Sequence, residues 1–283
     1  MNSSGKMIYK YRSLLMDSDS DFCKIDSNTE KLIKNGELYF ADPDTFNDPF
    51  DCGVRFDKSK LNIFGGLSTD NLLNDATGTG IKNGLIKVFC ASKDYDNMLL
   101  WAHYAQQHEG VCIGIQTYEY GNRIALRKDS SQLRNAKRKN AMNMLQEDTL
   151  RFMEANGLMD SIADSNGCIE VFSVKYSNVF LPSIDPLKIG NIPETAIMEY
   201  FLRKATCWES EHEVRALLSA GETDRNICHI ATQDIKEIIF GLNTPVETCH
   251  KTIDDLKNSL DHHVDFYKMH QVPDRFKLER VPL

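Results

Sequence analysis

Glu211, Glu213 and Arg215 alternate with His212, Val214 and Ala216. Successive side chains of a strand point to opposite faces, so Trp208 to Ser219 reads as a strand with all three charges on one face. At roughly 3.3 Å of rise per residue the two carboxylates would stand about 7 Å apart. They then repel, and at least one pKa rises unless a cation intervenes. Arg215 can be that cation. Two readings stand side by side: paired carboxylates doing chemistry, or a structural Glu–Arg ladder.

A second group of candidates lies in Met98 to Gln116. Helix formers run from Met98 to Gln107, and Trp101, Tyr104 and His108 fall at i, i+3 and i+7, on one helical face beside His103. Gly110 stops this helix and Val111 to Ile115 reads as a buried strand. Such a helix is either an aromatic core or a pocket wall. Near the start, Tyr9-Lys10-Tyr11-Arg12 sets two cations among aromatics on a first strand, Ile8 to Tyr11. In Asp42 to Gly53, rich in Asp, Pro and Asn, Phe46 and Phe50 would pin a polar Asn47-Asp48 tip. The plainer reading has Asn47 and Asp48 bonding their own backbone.

Other chemistries find less support. His103 and His108 lack the His-Glu-x2-His arrangement of a zinc protease. Gly78-Thr79-Gly80, with no strand before it and no helix after it, is no phosphate loop. Eight cysteines occur with no Cys-x2-Cys pair, so they read as small apolar core residues and reduced thiols. His262-His263 reads as a surface pair. Asp48, Asp51, Glu211 and Glu213 would supply carboxylates for a metal only if the Asn-Asp loop folds against the late strand.

The elements that must position these residues follow from pattern. Ser27 with Glu30 reads as a capping box opening a helix closed by Gly36, and Glu37 to Phe40 as a strand. Residues 57 to 84 are weakly patterned, and Leu85 to Ser92 is a strand. Ser131 to Asn156 and Pro193 to Cys207 read as helices on either side of a strand from Cys168 to Tyr176. Strands at Ile227 to Ala231 and Ile235 to Phe240 precede a helix that starts at a second capping box, Thr244-Pro245-Val246-Glu247, and ends near Leu260. Val264 to Met269 closes the chain.

The 283 residues carry a net charge of −8, which announces no general nucleic-acid surface; the basic run Arg123 to Lys139 reads as a solvated helix face. There is no apolar signal core and no run of the roughly 18 apolar residues that a membrane helix needs, so the expected location is the cytoplasm, with no membrane partner. The expected fold class is α+β: one domain over residues 7–283, with a central mixed or antiparallel sheet flanked by helices, after a disordered tail at 1–6.

Leu100-Trp101-Ala102-His103-Tyr104 followed by His108-Glu109-Gly110-Val111-Cys112-Ile113 resembles the signature of bacterial domain-of-unknown-function family 2971. So do Tyr9 to Arg12, Leu38-Tyr39-Phe40, Phe46-Asn47-Asp48-Pro49-Phe50-Asp51 and Lys204-x3-Trp208-x2-Glu211-x-Glu213-x-Arg215, in the family's order. Asp51 stands where that family more often has Glu. The family implies no activity. The order of elements also resembles, more distantly, the ADP-ribosyltransferase superfamily, although neither of its usual triads is complete. That resemblance implies an NAD-dependent transferase acting on a protein or nucleic acid, as a phage-defence or toxin component. Glu213 would stabilise the ribose cation, with Glu211 steering the acceptor, Arg215 beside them and Tyr104 at the nicotinamide. Tyr9, Lys10, Tyr11, Arg12, Asn47, Asp48, Trp101, His103 and His108 would line the cofactor pocket, with no metal. The alternatives are a metal-dependent nuclease or phosphoesterase using Asp48, Glu211 and Glu213, and a non-catalytic sensor of a nucleotide or small ligand.

Overall fold

Strands dominate the computed structural model of the protein, which describes residues 4–14, 25–55, 57, 86–120, 123–129, 167–185, 194–219 and 226–283. In chain order they are β1 (Ser4–Arg12), β2 (Glu37–Tyr39), β3 (Ile86–Ser92), β4 (Val111–Tyr120), β5 (Arg123–Arg127), β6 (Cys168–Ser173), β7 (Lys175–Tyr176), β8 (Arg203–Lys204), β9 (Glu213–Ser219), β10 (Ile227–His229), β11 (Ile235–Phe240), β12 (Asp265–Gln271) and β13 (Leu278–Pro282). The α-helices are α1 (Ser27–Asn35), α2 (Met98–Tyr104), α3 (Glu194–Phe201) and α4 (Val246–Lys257). The expected helix over 131–156 and the segment 58–84 lie outside the described residues.

Six strands close on themselves in the order β1-β3-β9-β6-β5-β4, because β4 also pairs with β1. The expected combination of helices and strands is present, but the sheet is barrel-like. Its strands pair antiparallel throughout; β11 then adds to β4, and β12 lies parallel to β11 with β13 at the edge. Residues 4–6, expected in a tail, belong to the sheet, where Ser4 pairs with Tyr118. Alternate residues of all six strands, among them Ile8, Phe89, Ile113, Leu126, Val171 and Ala216, meet in one hydrophobic cluster. In a closed ring this is the inward face, so period-two alternation becomes inside and outside.

The ring is weakest at one seam. Strand β3 shares seven paired positions with β9 but a single one, Tyr9↔Ser92, with β1. Consecutive residues of both strands therefore line one cavity there.

Several element ends differ from the sequence expectation. Asp26, rather than Ser27, caps α1 by accepting from the Asn28 and Thr29 amides, while Glu30 pairs with Lys34. Gly36 ends α1 at φ +66°, a conformation that glycine adopts without a Cβ penalty. Thr244 does not cap α4; its hydroxyl donates to the Glu109 carbonyl at 2.9 Å. Helix α2, capped by Asn97, stops at Tyr104 because Gln106, Gln107 and His108 all take positive φ. Each such residue costs about 1–2 kcal/mol. Tertiary bonds offset that cost, including the Leu14 amide to Gln106 Oε1 at 3.3 Å and the Asn243 amide to the His108 carbonyl at 2.9 Å. The helix expected to reach Cys207 ends at Phe201, which puts Lys204 on strand β8; and the Cys168 to Tyr176 strand breaks at Val174 into β6 and β7. Arg123 and Arg127 sit on β5, paired with Glu170 and Asp234, and not on a helix face. Seven of the cysteines are free, and Cys52, Cys112, Cys168, Cys228 and Cys249 are buried. No helix among the described residues is long and apolar enough to cross a membrane.

Candidate active site

A cavity of about 410 Å³ opens at the β1–β3 seam, with Tyr9, Lys10, Tyr11 and Arg12 on one wall and Cys90 to Ser92 on the next. Tyr104 of α2, Phe46 and Asn47 of the loop after β2, and Lys204, Glu211 and Glu213 complete it. The volume falls within the range of small-molecule sites.

The β1 cations are short of counter-charge. The Lys10 ammonium donates to the Cys90 carbonyl at 2.7 Å. Removal from water, with the neighbouring Arg12 charge adding to it, pulls its pKa down to about 8. Arg12 Nε is buried without a hydrogen-bond partner. Neither side chain has a salt bridge among the described residues. Two adjacent cations, one holding an unused donor, form a ready site for an anion.

The late carboxylates are arranged in the opposite way. Arg215 is wholly buried (0% exposed) and grips Glu213 with Nε at 2.8 Å and Nη2 at 2.9 Å. It grips Asp51 with Nη1 at 2.9 Å and Nη2 at 2.6 Å, and Nη1 also donates to the Phe201 carbonyl at 2.7 Å. Lys204 Nζ bridges Glu211 at 2.5 Å and Glu213 at 3.1 Å. The cation between the two glutamates is therefore Lys204, and Arg215 neutralises Glu213 from behind together with Asp51. Burial by itself would raise the Glu213 carboxyl, but Arg215 and then Lys204 overcome it and hold the pKa near 2. Glu211 goes the other way: burial raises it, the Glu213 charge adds to the rise, and Lys204 and Tyr104 offset it only in part. Tyr104 OH donates to Glu211 Oε1 at 3.2 Å and accepts from Asn47 Nδ2 at 3.3 Å. The two neighbouring carboxyls are thus shifted in opposite directions, Glu213 down and Glu211 up.

Glu211 reaches this place by an unexpected route. It ends a 3₁₀ turn, Thr206–Glu211, and His212 takes φ +42° before β9 begins at Glu213. Arg215, expected to be catalytic, lies behind the cavity wall and acts by positioning Glu213 and Asp51. Trp101, His103, His108 and Asp48 fall outside the lining. Trp101 is core, edge-on to Tyr11, with Nε1 donating to the Tyr95 carbonyl at 2.8 Å. His108 stacks on Trp101, and burial lowers its pKa. His103 is exposed, against the Tyr104 ring. Asp48 accepts from the Phe50 amide at 2.9 Å, the local turn bond that was its plainer reading. Phe50 does not anchor the loop: it is exposed, and Phe46 alone packs inward, over Arg215. Burial raises the Cys52 and Cys90 thiols, so neither is an activated nucleophile. Among the described residues no three His, Cys, Asp or Glu side chains are grouped to hold a metal ion; Asp51, Glu211 and Glu213 are already committed to Lys204 and Arg215.

Residues 100–216 match the model of a family described as protein of unknown function, DUF2971. Over that stretch the chain is similar to DUF2971. Its matched stretch runs from α2 to β9 and takes in Tyr104, Lys204, Glu211, Glu213 and Arg215, while the β1 cations and Asp51 lie before it. Lys204 was absent from the residues expected to form the site, although its spacing to Arg215 was an available signal; Asp51 was expected there only as a metal-binding carboxylate, should its loop fold against the late strand, and it is instead held by Arg215. No curated protein and no solved structure matches the chain.

Because Arg12 is half-buried, with its Nε unpartnered and no salt bridge among the described residues, Arg12→Met should leave the unfolding free energy within about 0.5 kcal/mol of the parent or raise it. Urea denaturation measures this, and a fall of several kcal/mol would show that the guanidinium holds the fold together.

Proposed function

We propose that this protein binds NAD in the β1–β3 cavity and transfers its ADP-ribosyl group to a protein or nucleic-acid acceptor. The observation carrying this reading is that one cavity joins two under-neutralised cations to a pair of carboxylates whose pKa values are driven apart. Lys10 and Arg12 would take the pyrophosphate. Tyr104, Phe46 and Asn47 would line the nicotinamide end. Glu213, kept ionised by Arg215, would face the positive charge that grows on the ribosyl carbon as its bond to nicotinamide breaks and the electron pair departs with nicotinamide. Glu211 would take the proton released when the acceptor group bonds to that carbon. Carboxylates with opposed pKa shifts mark such a division of labour. The order of β1 cations, central Tyr104 and late Glu-x-Glu also supports an ADP-ribosyltransferase-like fold as part of the same proposal.

Calorimetric titration with NAD, with nicotinamide release followed in parallel, tests this. The parent should bind and release nicotinamide, and Arg12→Gln should weaken binding about tenfold or more through the loss of a charge-assisted contact. No heat and no release at millimolar NAD would sink the reading; heat without release would leave a ligand-binding sensor.

A further inference from the structure

A second cavity, of about 280 Å³, is lined by Phe50, Asn178, Phe180, Tyr200 and Arg203 and shares Lys204 with the first. Its surface is not that of a satisfied protein exterior. Phe50 and Phe180 are 56% and 46% exposed, with ring centroids 6.3 Å apart, and the Arg55 guanidinium lies 4.3 Å from the Phe180 centroid. Arg203 Nε is buried without a hydrogen-bond partner, and Arg203 makes no salt bridge among the described residues. Asn178 Oδ1 accepts from the Thr206 amide at 3.2 Å and its hydroxyl at 2.6 Å, which fixes the side-chain amide and leaves its NH₂ available as a donor.

The geometry points to this cavity as the acceptor site, built for one nucleotide unit of a single-stranded nucleic acid. A base would lie against Phe180 and Phe50, its polar edge within reach of the Asn178 amide, and its phosphate would take the unused Arg203 donor. Aromatic faces beside a guanidinium form the combination that binds unpaired bases, since every base has a π-face and every nucleotide an anion. An acidic or phosphorylated peptide would satisfy Arg203 but leave both phenylalanine faces in water. The cavity presents one unused guanidinium donor, so the site takes a single nucleotide unit. Lys204 joins this unit to the Glu211–Glu213 pair. The acceptor role rests on the transferase reading above; the nucleotide site does not.

Calorimetric titration of the full chain with adenosine 5′-monophosphate and with a five-residue single-stranded oligoadenylate tests the site and separates a free nucleotide from a nucleic acid. Arg203→Gln and Phe180→Ala should each weaken oligoadenylate binding about tenfold or more while leaving NAD binding unchanged. The salt dependence should correspond to about one phosphate contact, a log–log slope near −0.7. Binding of the oligonucleotide at least as tight as that of the monophosphate supports a nucleic-acid acceptor, and much weaker binding overturns it. Failure of both probes to bind, or loss of binding in Arg12→Gln but not in Arg203→Gln, overturns the site. Nucleotide binding that needs Arg203 in a protein that does not turn over NAD would sink the transferase reading and keep the site.

Discussion

Arg215→Met is expected to remove about 3 to 5 kcal/mol of folding free energy, the usual cost of stripping a buried ion pair of one partner. The guanidinium satisfies both oxygens of Glu213 and both of Asp51. Without it Lys204 is left, among the described residues, as the one cation within 4 Å for three buried carboxylates, at 3.8 Å from Asp51, 2.5 Å from Glu211 and 3.1 Å from Glu213. The pH dependence should change sign as well. In the parent, Glu213 has its carboxyl depressed from 4.5 to about 2. Its stabilising contribution is thus present above 4.5 and is lost as the pH falls towards 2. In the variant, burial is no longer opposed by the guanidinium, so the carboxyl is raised and the protein should gain stability as the pH drops from neutral towards 4.5. Urea unfolding of both proteins at pH 7.5, 5 and 3 measures the two effects. A loss below 1 kcal/mol would mean that the network is not what ties the loop carrying Asp51 to β9.

The same network explains how much of the site was legible beforehand. The strands were read well where apolar alternation had to serve a closed ring, as in β1, β3 and the start of β4. Strand β13 was missed because Leu278–Pro282 is short and lies at the sheet edge, where half of its backbone needs no partner. The break after Tyr104 could not be read, since nothing in Gln106-Gln107-His108 favours positive φ; bonds from Leu14 and Asn243, both distant in sequence, impose it. Helix α3 ends at Phe201, whose carbonyl accepts from Arg215, so a long-range bond prevails over the helical pattern that continued to Cys207. Glu211 was placed on a strand and stands on a 3₁₀ turn. Its partnership with Glu213 survived because the left-handed His212 returns the carboxylate to the same neighbourhood. Tyr104, Glu211 and Glu213 were legible because their residue types and spacing announce chemistry. Asp51 was legible as a carboxylate that could join them but not as the partner of Arg215, because that pairing depends on a guanidinium 164 positions away.

Glu211→Gln should reduce nicotinamide release by roughly 10²–10⁴-fold, the range lost when a positioned acid–base group is removed. The substitution separates chemistry from folding in a way that Glu213→Gln cannot, since Glu213 is held by Arg215 in the buried network. Glu211 carries a raised pKa, so its favourable contribution to stability is full below its ordinary value and is lost as the pH climbs through the raised one. A neutral glutamine should therefore not destabilise the protein at pH 7, and Lys204 keeps Glu213 as its partner. In the parent, release should rise with pH as Glu211 gives up its proton and becomes a base; in Glu211→Gln that limb should vanish. Tyr104→Phe supplies the positioning control. Its hydroxyl donates to Glu211 and favours the ionised form, so its removal should move the limb to higher pH without abolishing it. A Glu211→Gln protein that kept both the rate and the limb would place the proton transfer elsewhere in the cavity, with Lys10, whose pKa near 8 leaves it partly neutral at pH 7.5, as the next group to test.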